Sequence, residues 1–124
     1  MGLTYVTAEV RDVSGADPHY SNLFLVDTGA NDCLADGDEL RRINILPQGK
    51  RTYELADGSK TELEYGFARF SILGEETVAP IIFGPAGAEP ILGVIVMESI
   101  GVVVDPRSNT LKRLDALPLK LFRS

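Results

Sequence analysis

The 124 residues contain a single cysteine, Cys33, and a single histidine, His19. One cysteine cannot close an intrachain disulfide, and the pair cannot assemble a zinc site of four cysteines or of two cysteines and two histidines. A reducing compartment suits such a chain. Positive charge is scarce too. Twelve Lys and Arg stand against 18 Asp and Glu, a net charge of −6, and the basic residues form nothing longer than adjacent pairs such as Arg41-Arg42 and Lys112-Arg113. Phosphate recognition needs clustered cations, so nucleic acid is excluded as a partner. No apolar stretch approaches the ~18 residues of a membrane span. Met1-Gly2-Leu3-Thr4-Tyr5-Val6 likewise has no basic segment leading an apolar run. The expected location is the cytoplasm, with no membrane partner, although a domain cut from a longer protein reads the same way. Low-complexity segments and linkers are also missing, so 1–124 is expected to be one domain.

The composition is 44% hydrophobic and 24% charged, with 12 Gly and 7 Pro. Short apolar runs between frequent turns point to a globular, all-β chain. Alternation over 3–10 predicts a first strand, and Ser14-Gly15-Ala16-Asp17-Pro18 a loop. A second strand is expected at 21–27. Acids lead and bases trail in Asp38-Glu39-Leu40-Arg41-Arg42-Ile43, the order a helix dipole favours, and Pro47-Gln48-Gly49 closes that segment. Residues 51–55 and 60–65 flank Ala56-Asp57-Gly58-Ser59, a hairpin signal. Residues 67–73 and 77–83 around Gly74-Glu75-Glu76 predict a second hairpin, and Gly84 to Pro90 a loop. Val94 to Ile100 has the β-branched composition of a strand. Val102–Val104 should pair with Thr110–Leu114 across Asp105-Pro106-Arg107-Ser108-Asn109, and Leu117, Leu119 and Leu121 alternate as in an edge strand.

One segment bears directly on chemistry. The apolar run Leu23-Phe24-Leu25-Val26, read as a buried strand, leads straight into Asp27-Thr28-Gly29-Ala30. Asp and Gly cluster in ordinary turns, so the triplet alone decides little. Its context adds the 56–59 hairpin tip and then Pro90-Ile91-Leu92-Gly93. Ile-Leu-Gly occurs twice, but the copy at 72–74 runs into Glu75-Glu76 and reads as core plus turn.

With this order of features, residues 4–104 resemble the retropepsin-like aspartic proteases, single-lobe homodimeric relatives of pepsin. The resemblance implies a closed β-barrel or sandwich with a flap hairpin and one short helix after Ile91-Leu92-Gly93, with 105–124 as a C-terminal extension. It implies an endopeptidase whose catalytic carboxylate is Asp27, used as a pair by two subunits, with no metal or cofactor required. Thr28 would lock the two loops together, Gly29 would meet substrate backbone, and Ala30 would complete the active-site loop. Ala56, Asp57, Gly58 and Ser59 would form the flap, and Ile91, Leu92 and Gly93 would support the loop. Large apolar side chains beside the scissile bond are the implied preference.

Physical reasons stand beside the resemblance. Two carboxyls within hydrogen-bonding range cannot both ionise cheaply, so they share a proton. A small hydroxylated residue suits a twofold axis, and a missing Cβ admits a peptide backbone. An Asp-Gly tip also belongs to many β proteins with no flap. One departure stands out: Asn31 and Val94 occupy positions where retroviral members carry a bracing acid and arginine. The brace is either absent or replaced, and Asp32 with Arg41 or Arg42 is the candidate replacement. Tyr53 could hydrogen-bond near the Asp27 dyad from the first strand of the 56–59 hairpin, but it is assigned to cross-strand packing with no catalytic role. Cys33 is assigned to small-residue packing and His19 to a solvent-facing loop. Two rivals remain: an inactive dimerisation or peptide-binding module on the same fold, and an unrelated β-barrel in which Asp27-Thr28-Gly29 is only a turn.

Overall fold

Alternation along the first strand sets the inside of the molecule. In β1 (Tyr5–Arg11), Val6, Ala8 and Val10 are buried while Tyr5 and Thr7 face solvent, the period-2 pattern of a strand with one face on a core. The computed structural model describes residues 2–117 and 119. The chain continues through β2 (Tyr20–Val26), β3 (Cys33–Asp36), α1 (Gly37–Arg42), β4 (Gly49–Glu54), β5 (Lys60–Ile72), β6 (Glu75–Gly84), β7 (Ile91–Leu92), α2 (Val94–Ile100), β8 (Val102–Asp105) and β9 (Thr110–Arg113). The chain is mostly β.

The long strand β5 organises the sheet. Its outer half pairs with β4, its inner half with β6, and Glu9–Arg11 of β1 pair with Arg69–Ser71. That last pairing closes β1, β2, β7, β3, β6 and β5 into a six-stranded barrel. β4 stays outside the ring at the end of the sheet order, so β4 and the outer half of β5 project as a two-stranded arm. Gly66, Ala68, Phe70 and Ile72 of β5 point inward, and with Phe24, Ile81, Leu92 and Val96 they form the barrel core. Each large side chain buried there is worth about 2 kcal/mol.

Several expectations hold. Both hairpins form, 38–43 is helical over Gly37–Arg42, and β8 pairs with β9 from Val102↔Arg113 to Asp105↔Thr110. His19 is exposed and Cys33 is buried. Others are corrected. The turn of the second hairpin is Leu73-Gly74, with Glu75 already paired to Ile72, because both turn residues adopt positive φ. Residues 94–100 form a helix, as the resemblance implied and against their composition, since Gly93 and Gly101 delimit one turn-rich segment packed by Val96 and Met97. β2 is not buried along its length: Phe24 is buried but Leu23 is 56% exposed, because the pleat turns alternate side chains outward. Beyond Arg113 the described residues form no strand, and Leu117 folds back onto Gly101. Leu121 lies outside the described residues.

Candidate active site

Asp27 follows the last residue of β2, where Val26 pairs in parallel with Leu92 of β7. The Asp27 N–H donates to the Leu92 carbonyl at 3.0 Å, so the strand pairing ends at the aspartate itself. The chain then turns sharply, with Ala30 N donating to the Asp27 carbonyl at 3.1 Å. Inside that turn Gly29 N donates to Asp27 Oδ1 at 2.9 Å, which holds the carboxylate toward solvent. Asp27, Thr28 and Gly29 are all exposed.

The second Ile-Leu-Gly copy sits beneath this loop. Val94 N donates to the Ala30 carbonyl at 2.8 Å and Ile95 N to the Asn31 carbonyl at 3.1 Å, so the first turn of α2 satisfies the loop's acceptors. Gly93 makes the approach possible. A Cβ there would lie 2.5 Å from the carbonyl oxygens of both Asn31 and Asp32. Gly93 N also points at Cys33 Sγ, at 3.3 Å. Burial pushes the Cys33 thiol up to about 12, against that N–H, which leaves it a packing group.

The loop and the arm enclose a cleft of about 650 Å³. Asp27, Gly29, Ala30 and Asn31 line one side; Thr52, Tyr53, Glu54, Leu55 and Ala56 line the other, with Ile82 of β6 between them. Thr28 faces elsewhere. With Gly2, Leu3, Thr4, Val26, Val104, Pro106 and Asn109 it lines a second hollow of about 620 Å³. The arm's tip is a tight turn in which Leu55 N donates to the Ser59 carbonyl at 2.7 Å and Asp57 Oδ1 accepts from Ser59 N and Oγ. Gly58 has φ +86° and no neighbour to meet an added Cβ, so the tip stands clear of the body. Of the expected tip residues, Ala56 reaches the cleft lining, whereas Asp57, Gly58 and Ser59 project past it.

The candidate brace from Asp32 to Arg41 or Arg42 is not formed. Arg41 pairs with Glu64 of β5 at 3.0 Å and Arg42 with Glu39 at 2.8 Å, each arginine having a carboxylate closer to hand than Asp32. Asp32 pairs instead with Arg51 at 3.7 Å and accepts a hydrogen bond from the Tyr53 hydroxyl at 3.2 Å. Tyr53 is therefore more than a cross-strand packing residue. Burial, with the Asp32 charge behind it, raises the Tyr53 phenol above its ordinary value and keeps it a donor. Ile82, the wall residues Thr52, Glu54 and Leu55, and the pairing of Asp32 with Arg51 are the parts of the site that sequence reasoning missed, whereas a Tyr53 hydrogen bond near the site is among the sequence readings, second to packing. The one available signal was the alternation that puts Arg51 and Tyr53 on the same face of β4.

No protein-family model matches the chain, and a search of curated proteins returns no match.

Proposed function

We propose that the chain is a retropepsin-like aspartic endopeptidase that works as a homodimer, with Asp27 of each copy contributing one carboxyl to a shared dyad. One observation carries this reading: a carboxylate fixed by the Gly29 N–H stands exposed at the floor of a cleft roofed by a hairpin. A lone carboxylate is a poor peptidase. Two of them facing each other share one proton, and the pair titrates as a unit.

The chemistry balances with the pair and one water. The ionised carboxyl takes a proton from water as the water oxygen bonds to the scissile carbonyl carbon, while the protonated carboxyl gives its proton to the carbonyl oxygen. Collapse of the tetrahedral intermediate breaks the C–N bond: the leaving nitrogen takes the proton of the protonated carboxyl, and one hydroxyl of the intermediate gives its proton to the ionised carboxyl, which restores the singly protonated pair. Substrate would lie as an extended strand between Gly29 and the arm, held by backbone hydrogen bonds and sorted by alternate side-chain pockets. Ile82, Leu55 and Ala30 give those pockets apolar walls. Thr28 lines the second hollow, and in the proposed dimer its hydroxyl would meet the loop of the second copy.

The test is cleavage of a diverse peptide library between pH 4 and 7 by wild type and by Asp27→Asn. Loss of all cleavage in a variant with unchanged circular dichroism is the expected outcome. A folded dimer that cleaves nothing would instead fit a peptide-binding or dimerisation module.

A further inference from the structure

Asp32 is a carboxylate for which the peptidase chemistry has no use. Its side chain is 8% exposed although it borders the cleft, and a carboxylate that deep needs donors or a counter-charge. Both come from β4: the Tyr53 hydroxyl at 3.2 Å and the Arg51 guanidinium at 3.7 Å. Residues 51 and 53 share one face of the strand, so a single acceptor can hold both. Arg51 is itself stacked on the Tyr65 ring of β5, 3.9 Å from its centroid. The connection thus runs from the site loop through β4 into β5.

The two ends differ in rigidity. Asp32 sits in a loop whose carbonyls rest on Gly93 and α2, immediately before β3. β4 ends the sheet and is paired with β5 alone, and its tip is exposed. A strand held on one edge, with an unpacked tip, is drawn from the low-stability end of a fold.

We propose that Asp32, Arg51 and Tyr53 form a polar latch that seats the β4–β5 arm over the cleft, Asp32 being a positioning residue that fixes the distance between roof and floor. Its effect on arm motion stands by itself. Its effect on turnover rests on the peptidase reading, because only an arm held at a set height would press an extended peptide against Asp27.

The experiment is amide hydrogen exchange across residues 49–59 in the full chain, with β1 and β2 amides as internal reference, for wild type, Tyr53→Phe, Asp32→Ala and the double variant. Tyr53→Phe removes one oxygen from a partly exposed ring, so it keeps the fold even where Asp32→Ala does not. Exchange over 49–59 is expected to accelerate about tenfold relative to the barrel in each single variant, and the double variant to go no faster than Asp32→Ala. Exchange over 49–59 that tracks the barrel in Tyr53→Phe would overturn the latch, whether or not peptides are cleaved. Arm-selective acceleration in a protein that cleaves nothing would leave the latch standing and reject the peptidase. Where peptides are cleaved, kcat/KM falls several-fold in Tyr53→Phe with an unchanged thermal midpoint.

Discussion

Asp27 and Thr28 are neighbours in the chain yet face different hollows, one with the arm and one with the N-terminal segment. Other aspartates act on stability. Hydrogen bonds hold four carboxyls below the ordinary 3.8: the Ser14 hydroxyl for Asp12, His19 and then Arg11 for Asp17, the Gly87 and Asp38 N–H groups for Asp36, and the Ser59 hydroxyl for Asp57. A depressed folded-state value means that the native state binds fewer protons than the unfolded chain in acid. The stabilisation is complete above the ordinary carboxylate value, near 4, and disappears as pH falls through the lower folded values. Thermal midpoints measured from pH 6 to 2.5 should be level at first and drop below about pH 4. Asp36→Asn, which keeps one acceptor for two N–H donors, should lower the midpoint at pH 6 and flatten that drop. A profile unchanged by the substitution would remove Asp36 from the acid response.

The junction between the loop and α2 is the most tightly built element pair in the site. Two amides of the helix's first turn meet two loop carbonyls, with only a hydrogen at Gly93 to separate the chains. Gly93→Ala would push a methyl into two backbone carbonyls that cannot turn aside, at a cost of about 3 kcal/mol in urea unfolding. A loss under about 0.5 kcal/mol would mean that the loop moves freely off the helix. Hairpins were the elements most legible from sequence, since Asp57-Gly58 marks a turn locally and Gly74 lies between two alternating runs, although the second turn sits at Leu73-Gly74, one residue earlier than the sequence reading. β3 was not. Cys-Leu-Ala-Asp carries no β-branched or aromatic residue, and it becomes a strand through parallel pairing of Cys33–Asp36 with Ile81–Gly84, far away in sequence.

For the whole molecule, the barrel leaves the Asp27 loop at one end with its hydroxyl neighbour facing outward, a half-site if two carboxylates are needed. Beside it the β8–β9 hairpin forms a separate two-stranded sheet, with Val103 and Leu114 partly exposed. A working dimer would use this end. Specific activity should therefore fall on dilution as dimers dissociate, with sedimentation velocity following the same midpoint, and Thr28→Ala should shift that midpoint to higher concentration. Activity from a strict monomer would remove the shared-dyad mechanism. Leu117 already covers Gly101 of its own chain while Leu119 is 78% exposed. The tail either joins the interface of the proposed dimer, the expected outcome, or covers its own subunit, and removing 115–124 separates the two: an unchanged dimer constant assigns the tail to its own subunit.

Composition and local pattern by themselves determined the all-β class, the two hairpins and the turn at Asp27, because each rests on alternation or turn chemistry within a few residues; the place of Gly93 beneath that turn was implied only by the resemblance. Tertiary structure decided the rest. Closure of the ring depends on β1 meeting β5, the helical state of 94–100 on the packing of Val96 and Met97, and the partners of Asp32 on β4 folding across the loop. These contacts join residues distant in the chain, and their energies come from burial and pairing that no local window contains.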